Sequence, residues 1–168
     1  LTPTSPGPTD RGANLFGGGF TATAAISQVL NVAASAAAID AGTQKYTLSA
    51  WLGGWSTQDD NALLRATFRN AAGTSLGTAQ VGPVLAADRG GITQLLLRST
   101  TGTVPAGTRT VEIVLAFERR EGNADDGYAD NLSFSLESSG GTGGCTYALS
   151  PQSGAVAAAG GTGSVSVT

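Results

Sequence analysis

Apolar and polar residues alternate through most of this chain, and the alternation has the period of two that belongs to half-buried strands. In Thr43–Leu52, Tyr46, Leu48, Ala50 and Leu52 form one face, and Lys45, Thr47, Ser49 and Trp51 form the other. Ala62–Phe68 repeats the pattern, with Leu64, Ala66 and Phe68 opposed to Arg65, Thr67 and Arg69. Val111, Ile113, Leu115 and Phe117 form a third inward row, with Glu112 and Glu118 outward, and Leu132, Phe134 and Leu136 form a fourth. Ala24–Val32, Thr74–Val81 and Ile92–Ser99 complete the expected strands. Asn70-Ala71-Ala72-Gly73 and Val104-Pro105-Ala106-Gly107-Thr108 carry turn chemistry between them. The Ala-rich run Ala33–Asp40 favours a helical turn, which Gly42 ends. Seven or eight strands in this order predict an all-β protein, an antiparallel two-sheet sandwich of jelly-roll or immunoglobulin-like type with a short C-terminal β segment. A true immunoglobulin domain is disfavoured because its Cys-Trp-Cys pattern is missing.

The same pattern divides the chain. Residues 1–12 are rich in Pro, Thr and Ser and read as a linker or processed end. Residues 13–137 form the strand-rich domain, and 138–144 form a Gly/Ser linker. Residues 145–168 hold two strand candidates, too few to bury a core. This tail is expected to lie outside the first core and to pair with another polypeptide or begin a second domain. Removing residues 140–168 is therefore expected to leave the jelly roll intact.

Composition narrows the function. Charged residues are 12% and the net charge is −3, with the Arg residues scattered, so no basic stripe suits nucleic acid. No apolar run reaches the roughly 18 residues of a membrane-spanning helix. The 25 glycines and the many small residues suit an extracellular, turn-rich β protein, secreted or at the cell surface. His is absent, which removes the commonest general base and transition-metal ligand. The single Cys145 has no intrachain disulfide partner. It is either a free buried thiol or a residue whose partner lies outside this chain.

The densest polar chemistry is Gly122–Asn131. Asp125, Asp126 and Asp130, with Asn123 and Asn131, are hard oxygen donors of the kind Ca²⁺ prefers, expected on a loop at the mouth of the last strand. The alternative is an acidic turn bonding its own backbone. Asp59, Asp60 and Asn61 are either a solvated hairpin turn, a second cation site or polar contacts to a sugar. Trp51, on the polar face of its strand, and Trp55, in the following loop, are either sugar-stacking platforms or rings covered by neighbouring segments. Glu118, Glu121 and Asp125 are the one carboxylate set that a glycosidase could use. No nucleophile elbow or phosphate loop occurs, so no enzyme activity is expected.

From Ala13 to Leu136 the chain resembles a galactose-binding-like jelly roll, the fold of many calcium-containing carbohydrate-binding modules of secreted bacterial proteins. The resemblance rests on Ala13-Asn14-Leu15-Phe16-Gly17-Gly18-Gly19-Phe20 and on Tyr128-Ala129-Asp130-Asn131-Leu132-Ser133-Phe134. It implies a structural Ca²⁺ held by Asp130 and a backbone carbonyl of the Asn14–Phe20 segment, with Asn14 and Gly19 its named positions and Asp125 or Asp126 as alternative ligands. Thr21 stands where that family often has an acidic ligand. The tail Cys145-Thr146-Tyr147-Ala148-Leu149-Ser150-Pro151 and Ala158–Val167 resembles the first two strands of a BACON-type domain, an immunoglobulin-like module. The implied function is a non-catalytic binding module for a glycan or other extracellular ligand, using Trp51, Trp55, Asp59, Asp60, Asn61, Arg65 and Arg69. The alternative is a structural subunit of a surface or filamentous assembly that self-associates through its C-terminal strand.

Overall fold

Two antiparallel four-stranded sheets face each other in the computed structural model, which describes residues 1, 2 and 4–137, and the backbone of 149–150 and 166–167. The strands are β1 (Phe16–Gly19), β2 (Thr23–Asn31), β3 (Lys45–Gly54), β4 (Asn61–Arg69), β5 (Ser75–Val81), β6 (Gln94–Thr103), β7 (Thr110–Glu118) and β8 (Asp125–Leu136). One sheet has the order β1-β8-β3-β6 and the other β2-β7-β4-β5. First pairs with eighth, second with seventh, third with sixth and fourth with fifth: the nested pairing of a jelly roll. The expected fold class is therefore observed.

The inward rows meet as the alternation predicts. Leu48, Leu52, Leu64, Phe68, Val111, Leu115 and Phe117 are buried, and Ile113, Leu132, Phe134 and Leu136 pack partly buried against them. Tyr46, Phe68 and Phe134 form an aromatic cluster with ring centroids 5.0–6.3 Å apart. Gly102, opposite Tyr46 on β6, makes room for that ring, since a Cβ there would stand 2.6 Å from Tyr46 Oη. A 3₁₀ turn (Ala33–Ser35) and α1 (Ala36–Asp40) close one end and bury Ile39 completely. Gly42, at φ 68°, ends this helical stretch. Asp40 then accepts two hydrogen bonds from Arg109, at 3.0 and 2.7 Å, and one from Gly107 N–H. Those bonds hold its pKa below the ordinary carboxylate value.

Three expectations are corrected. The Asp-rich stretch is not a loop before the last strand: Asp125–Asp130 lies inside β8, whose pairing with β1 starts at Asp125. Second, a bulge interrupts the alternation of β8. Ser49 pairs with Ser133 but Trp51 pairs with Asp130, so β8 carries one extra residue, and Asn131 takes φ 47°. Asp125, Gly127 and Ala129 therefore face inward before the bulge, and Leu132, Phe134 and Leu136 after it. Third, β6 begins at Gln94 rather than Ile92 and runs to Thr103, because Arg89–Ile92 belongs to a turn.

The linker 138–144 and most of 145–168, Cys145 included, lie outside the described residues. The two short tail strands β9 (Leu149–Ser150) and β10 (Ser166–Val167) pair antiparallel with each other.

Candidate binding site

The outer face of the β1-β8-β3-β6 sheet is rich in hydroxyls. Ser49 has Ser99 and Ser133 as rung neighbours, and Thr47 has Thr101 and Ser135. At the end of this field Trp51 stands half-buried between Leu97, which is 51% exposed, and Asp130. Segment 1–15 crosses the same face. Pro6 accepts a hydrogen bond from Leu95 N–H, Gly7 packs on Leu95, and Asn131 donates to Asp10. Beneath the segment lies a cavity of about 620 Å³ lined by Arg11, Asn14, Asp130, Leu15 and Leu95 among others. Arg11 donates to Pro8 O through Nε, while its buried Nη1 has no partner among the described residues. Asp130 lines the cavity and pairs with Trp51 across the β3–β8 ladder.

The other expected ligand residues are not on this surface. Arg65 and Arg69 sit on the outer face of the opposite sheet, engaged with Gln80 and with Glu112. Trp55 is 48% exposed in the turn after β3. Asp59 accepts from Ala86 N–H, and its own N–H donates to Glu121. Asn61 donates to Asp59 O. Asp60 is fully buried rather than in a solvated turn. One of its oxygens accepts from Arg120 and Glu121 N–H and the other from Asp126 N–H. It clamps the β7–β8 loop to the β3–β4 connection.

The expected metal ligands also separate. Asn14 and Asp130 line the outer cavity, whereas Gly19 pairs with Asp125 across the β1–β8 ladder. Asp125 and Asp130 point to opposite faces of β8. Asp125 is 3% exposed, and its Oδ1 accepts from Gly127 N–H while Oδ2 has no partner among the described residues. Burial, chiefly, pushes its pKa up, with Asp60 and Asp126 adding repulsion. Gly18 packs so close that a Cβ there would overlap the Asp125 carboxylate, at 2.2 Å from Cγ. Asp126 accepts from Tyr128 Oη, and burial followed by that bond pushes the phenol pKa up. The Asn123 carbonyl accepts from Arg119. Among the described residues no three His, Cys, Asp or Glu side chains converge as a metal-holding group.

The residue that sequence reasoning missed is Arg89. Its side chain is 1% exposed and donates to the carbonyls of Gly54, Ser56, Gln58 and Ile92. Nothing near it in the sequence marks it, because all four acceptors are backbone. Glu118 and Glu121 line a third cavity together with Asp59 and Arg120, but Asp125 is not part of it. That separates the carboxylate set a glycosidase would need. No helix among the described residues is long and apolar enough to cross a membrane.

No protein-family model matches the chain, and no curated protein matches it. Among solved structures it is similar to the enzymatically active domain of tailspike protein 4 of bacteriophage CBA120, with 15% identity and a TM-score of 0.47. That match covers 68% of this chain and 14% of the tailspike chain.

Proposed function

We propose that this domain is a non-catalytic, extracellular carbohydrate-binding module whose glycan lies on the outer face of the β1-β8-β3-β6 sheet. The observation that carries the reading is that Trp51 pairs with Leu97 on one side and on the other with Asp130, which also lines the cavity beside Arg11 and Asn14. Sugars present apolar C–H faces that stack on an aromatic ring and hydroxyls that need donors and acceptors on the rim. Trp51 supplies the ring, Asp130 and Asn14 accept from hydroxyls, and Arg11 and Asn14 donate. The Ser and Thr rows, one strand spacing apart at roughly 4.8 Å, extend the polar contact along the face. A glycan array followed by calorimetric titration tests this. Trp51→Ala is expected to weaken binding at least tenfold, about 1.4 kcal/mol, while Trp55→Ala leaves it unchanged. Full binding by Trp51→Ala, or no glycan bound at all, overturns the reading.

Structural Ca²⁺ belongs to the same proposal, at Asp125 rather than Asp130. The unpartnered, buried Oδ2 of Asp125 beside Gly18 and Gly19 is the feature that fits a cation, with backbone carbonyls completing the shell. Bound there, the ion would supply the positive charge this carboxylate lacks. Asp60 is excluded as a principal ligand because its oxygens already accept three N–H groups.

Calcium binding to the native state alone is expected to raise Tm in millimolar Ca²⁺ over chelator, and Asp125→Asn to abolish that rise. In chelator the sign reverses. A carboxylate whose folded pKa is raised loses stability as pH climbs from its ordinary value through the folded one. Asp125→Asn is therefore expected to melt higher than the parent at pH 7, with the gap closing toward pH 3. Equal melting temperatures with and without Ca²⁺ count decisively against the ion.

A further inference from the structure

Strand β2 leaves one edge of its sheet open. Among the described residues it pairs only with β7, for nine rungs without a shift of register. Just beyond the strand ends, Arg119 N–H donates to Ala22 O and Val32 N–H to Arg109 O. Antiparallel pairs alternate, so the even-numbered residues bond to β7. Thr23, Ala25, Ser27, Val29 and Asn31 therefore aim their N–H and C=O groups at the open edge. Natural edge strands are kept from pairing by shortness, bulges, charge or proline. The other edges of this sandwich have such protection. β1 is four residues long, the β4–β5 ladder shifts between Phe68 and Arg69, and β6 carries Arg98. β2 holds no charged residue, no proline and no bulge. It also leaves apolar surface in water. Val29 on the outer face is 62% exposed, and Ile26, which faces inward opposite Leu115, is 50% exposed. Ile26 lines a cavity of about 760 Å³ between the sheets, with no charged side chain in its wall.

We propose that β2 pairs antiparallel with β2 of a second copy of this chain, about a twofold axis at Ser27. Such an axis sets each strand against its own symmetry mate in an isologous contact. At Ser27 it keeps all nine rungs, with Thr23 opposite Asn31 of the second copy and Ala25 opposite Val29 of the second copy. It also makes the odd-numbered residues the hydrogen-bonded positions, as their free N–H and C=O groups require. Ile26 then meets Gln28 of the second copy directly and Ile26 of the second copy diagonally, which covers the mouth of the cavity. Charge favours a second copy as the occupant: near a twofold axis any charge meets its own kind, and β2 carries none. Nine rungs run for roughly 30 Å, and two sheets about 10 Å apart make the flank roughly 15–20 Å deep. The contact is then on the order of 1,000 Å² over both copies, the size of a reversible dimer interface. The axis stands normal to both sheets, so the two β1-β8-β3-β6 outer faces point the same way. The dimer is independent of the glycan reading; that it presents two binding faces to one glycan surface rests on that reading.

Sedimentation equilibrium of the full chain tests this, with Ser27→Asp, Ser27→Lys and their equimolar mixture. Ser27 is exposed and its backbone makes no bond to β7, so both variants are expected to fold, which circular dichroism checks. The wild type is expected to dimerise in the micromolar range. Each variant alone is expected to weaken dimerisation at least tenfold, because like charges then face each other about 5.5 Å apart at the axis. The mixture, with opposite charges across the axis, is expected to restore it. Exchange of the wild-type Ala25, Ser27 and Val29 amides is expected to slow as concentration rises through the dissociation constant. Exchange that ignores concentration overturns the proposal whether or not the variants fold, and slow exchange in a monomer assigns the edge to another segment of the same chain. A wild type that stays monomeric at millimolar concentration overturns it outright. Variants that dimerise as the wild type does place the contact elsewhere. Variants that stay monomeric alone and in mixture show that Ser27 is not on the axis.

Discussion

Arg89→Ala is expected to cost about 3–5 kcal/mol of folding stability. The Arg89 guanidinium is held by the backbone carbonyls of Gly54, Ser56, Gln58 and Ile92. Truncation leaves those carbonyls without their donor. Each unsatisfied buried acceptor costs about 1–3 kcal/mol, and partial entry of water into the vacated space keeps the sum well below four times that. Arg89→Lys restores the charge but not the fork of donors, so it should recover only part of the loss. Chemical denaturation of the three proteins at neutral pH reads the order directly. A loss below about 1 kcal/mol for Arg89→Ala would mean that the loops it joins hold together without it.

Asp60→Ala is expected to cost about 3 kcal/mol, for the mirror-image reason. Here the buried side chain is the acceptor and three N–H groups are the orphans, those of Arg120, Glu121 and Asp126. The sheets approach closely at this end: a Cβ on Gly127 would lie 2.5 Å from the carbonyl oxygen of Asn61. The clamp therefore fixes where β8 enters the sandwich. Asp60→Asn keeps one acceptor oxygen and should fall between the two. Urea melts give the ranking, and exchange of the Arg120, Glu121 and Asp126 amides shows whether the loss is local. Protection of those three amides in Asp60→Ala would show that another group accepts from them.

The alternation along Tyr46–Leu52, Leu64–Phe68 and Val111–Phe117 was enough to name the core, because a side chain on a pleated strand has only two faces to choose from. Turn residues such as Gly42 and Gly73 separated the elements for an equally local reason: both adopt positive φ. Trp51 was legible as an aromatic on a polar face for the same cause.

What local pattern leaves open is which segments meet across the fold. Ligand residues chosen by type were scattered over both outer faces. Arg65 and Trp51 belong to different sheets, and nothing within either strand records that. The bulge at Asn131 adds one residue, which is invisible in composition, yet it decides that Asp125 points inward and Asp130 outward. Arg89 carried no mark in the sequence, and Asp60 read as a hairpin-turn or ligand residue, because their partners are backbone atoms that any sequence carries. The sequence by itself determined the strands, their inward faces and the all-β class, all consequences of period and turn chemistry. Only the tertiary structure decided which polar groups are buried and which stand beside Trp51, because both follow from long-range strand pairing and from the packing of one sheet on the other.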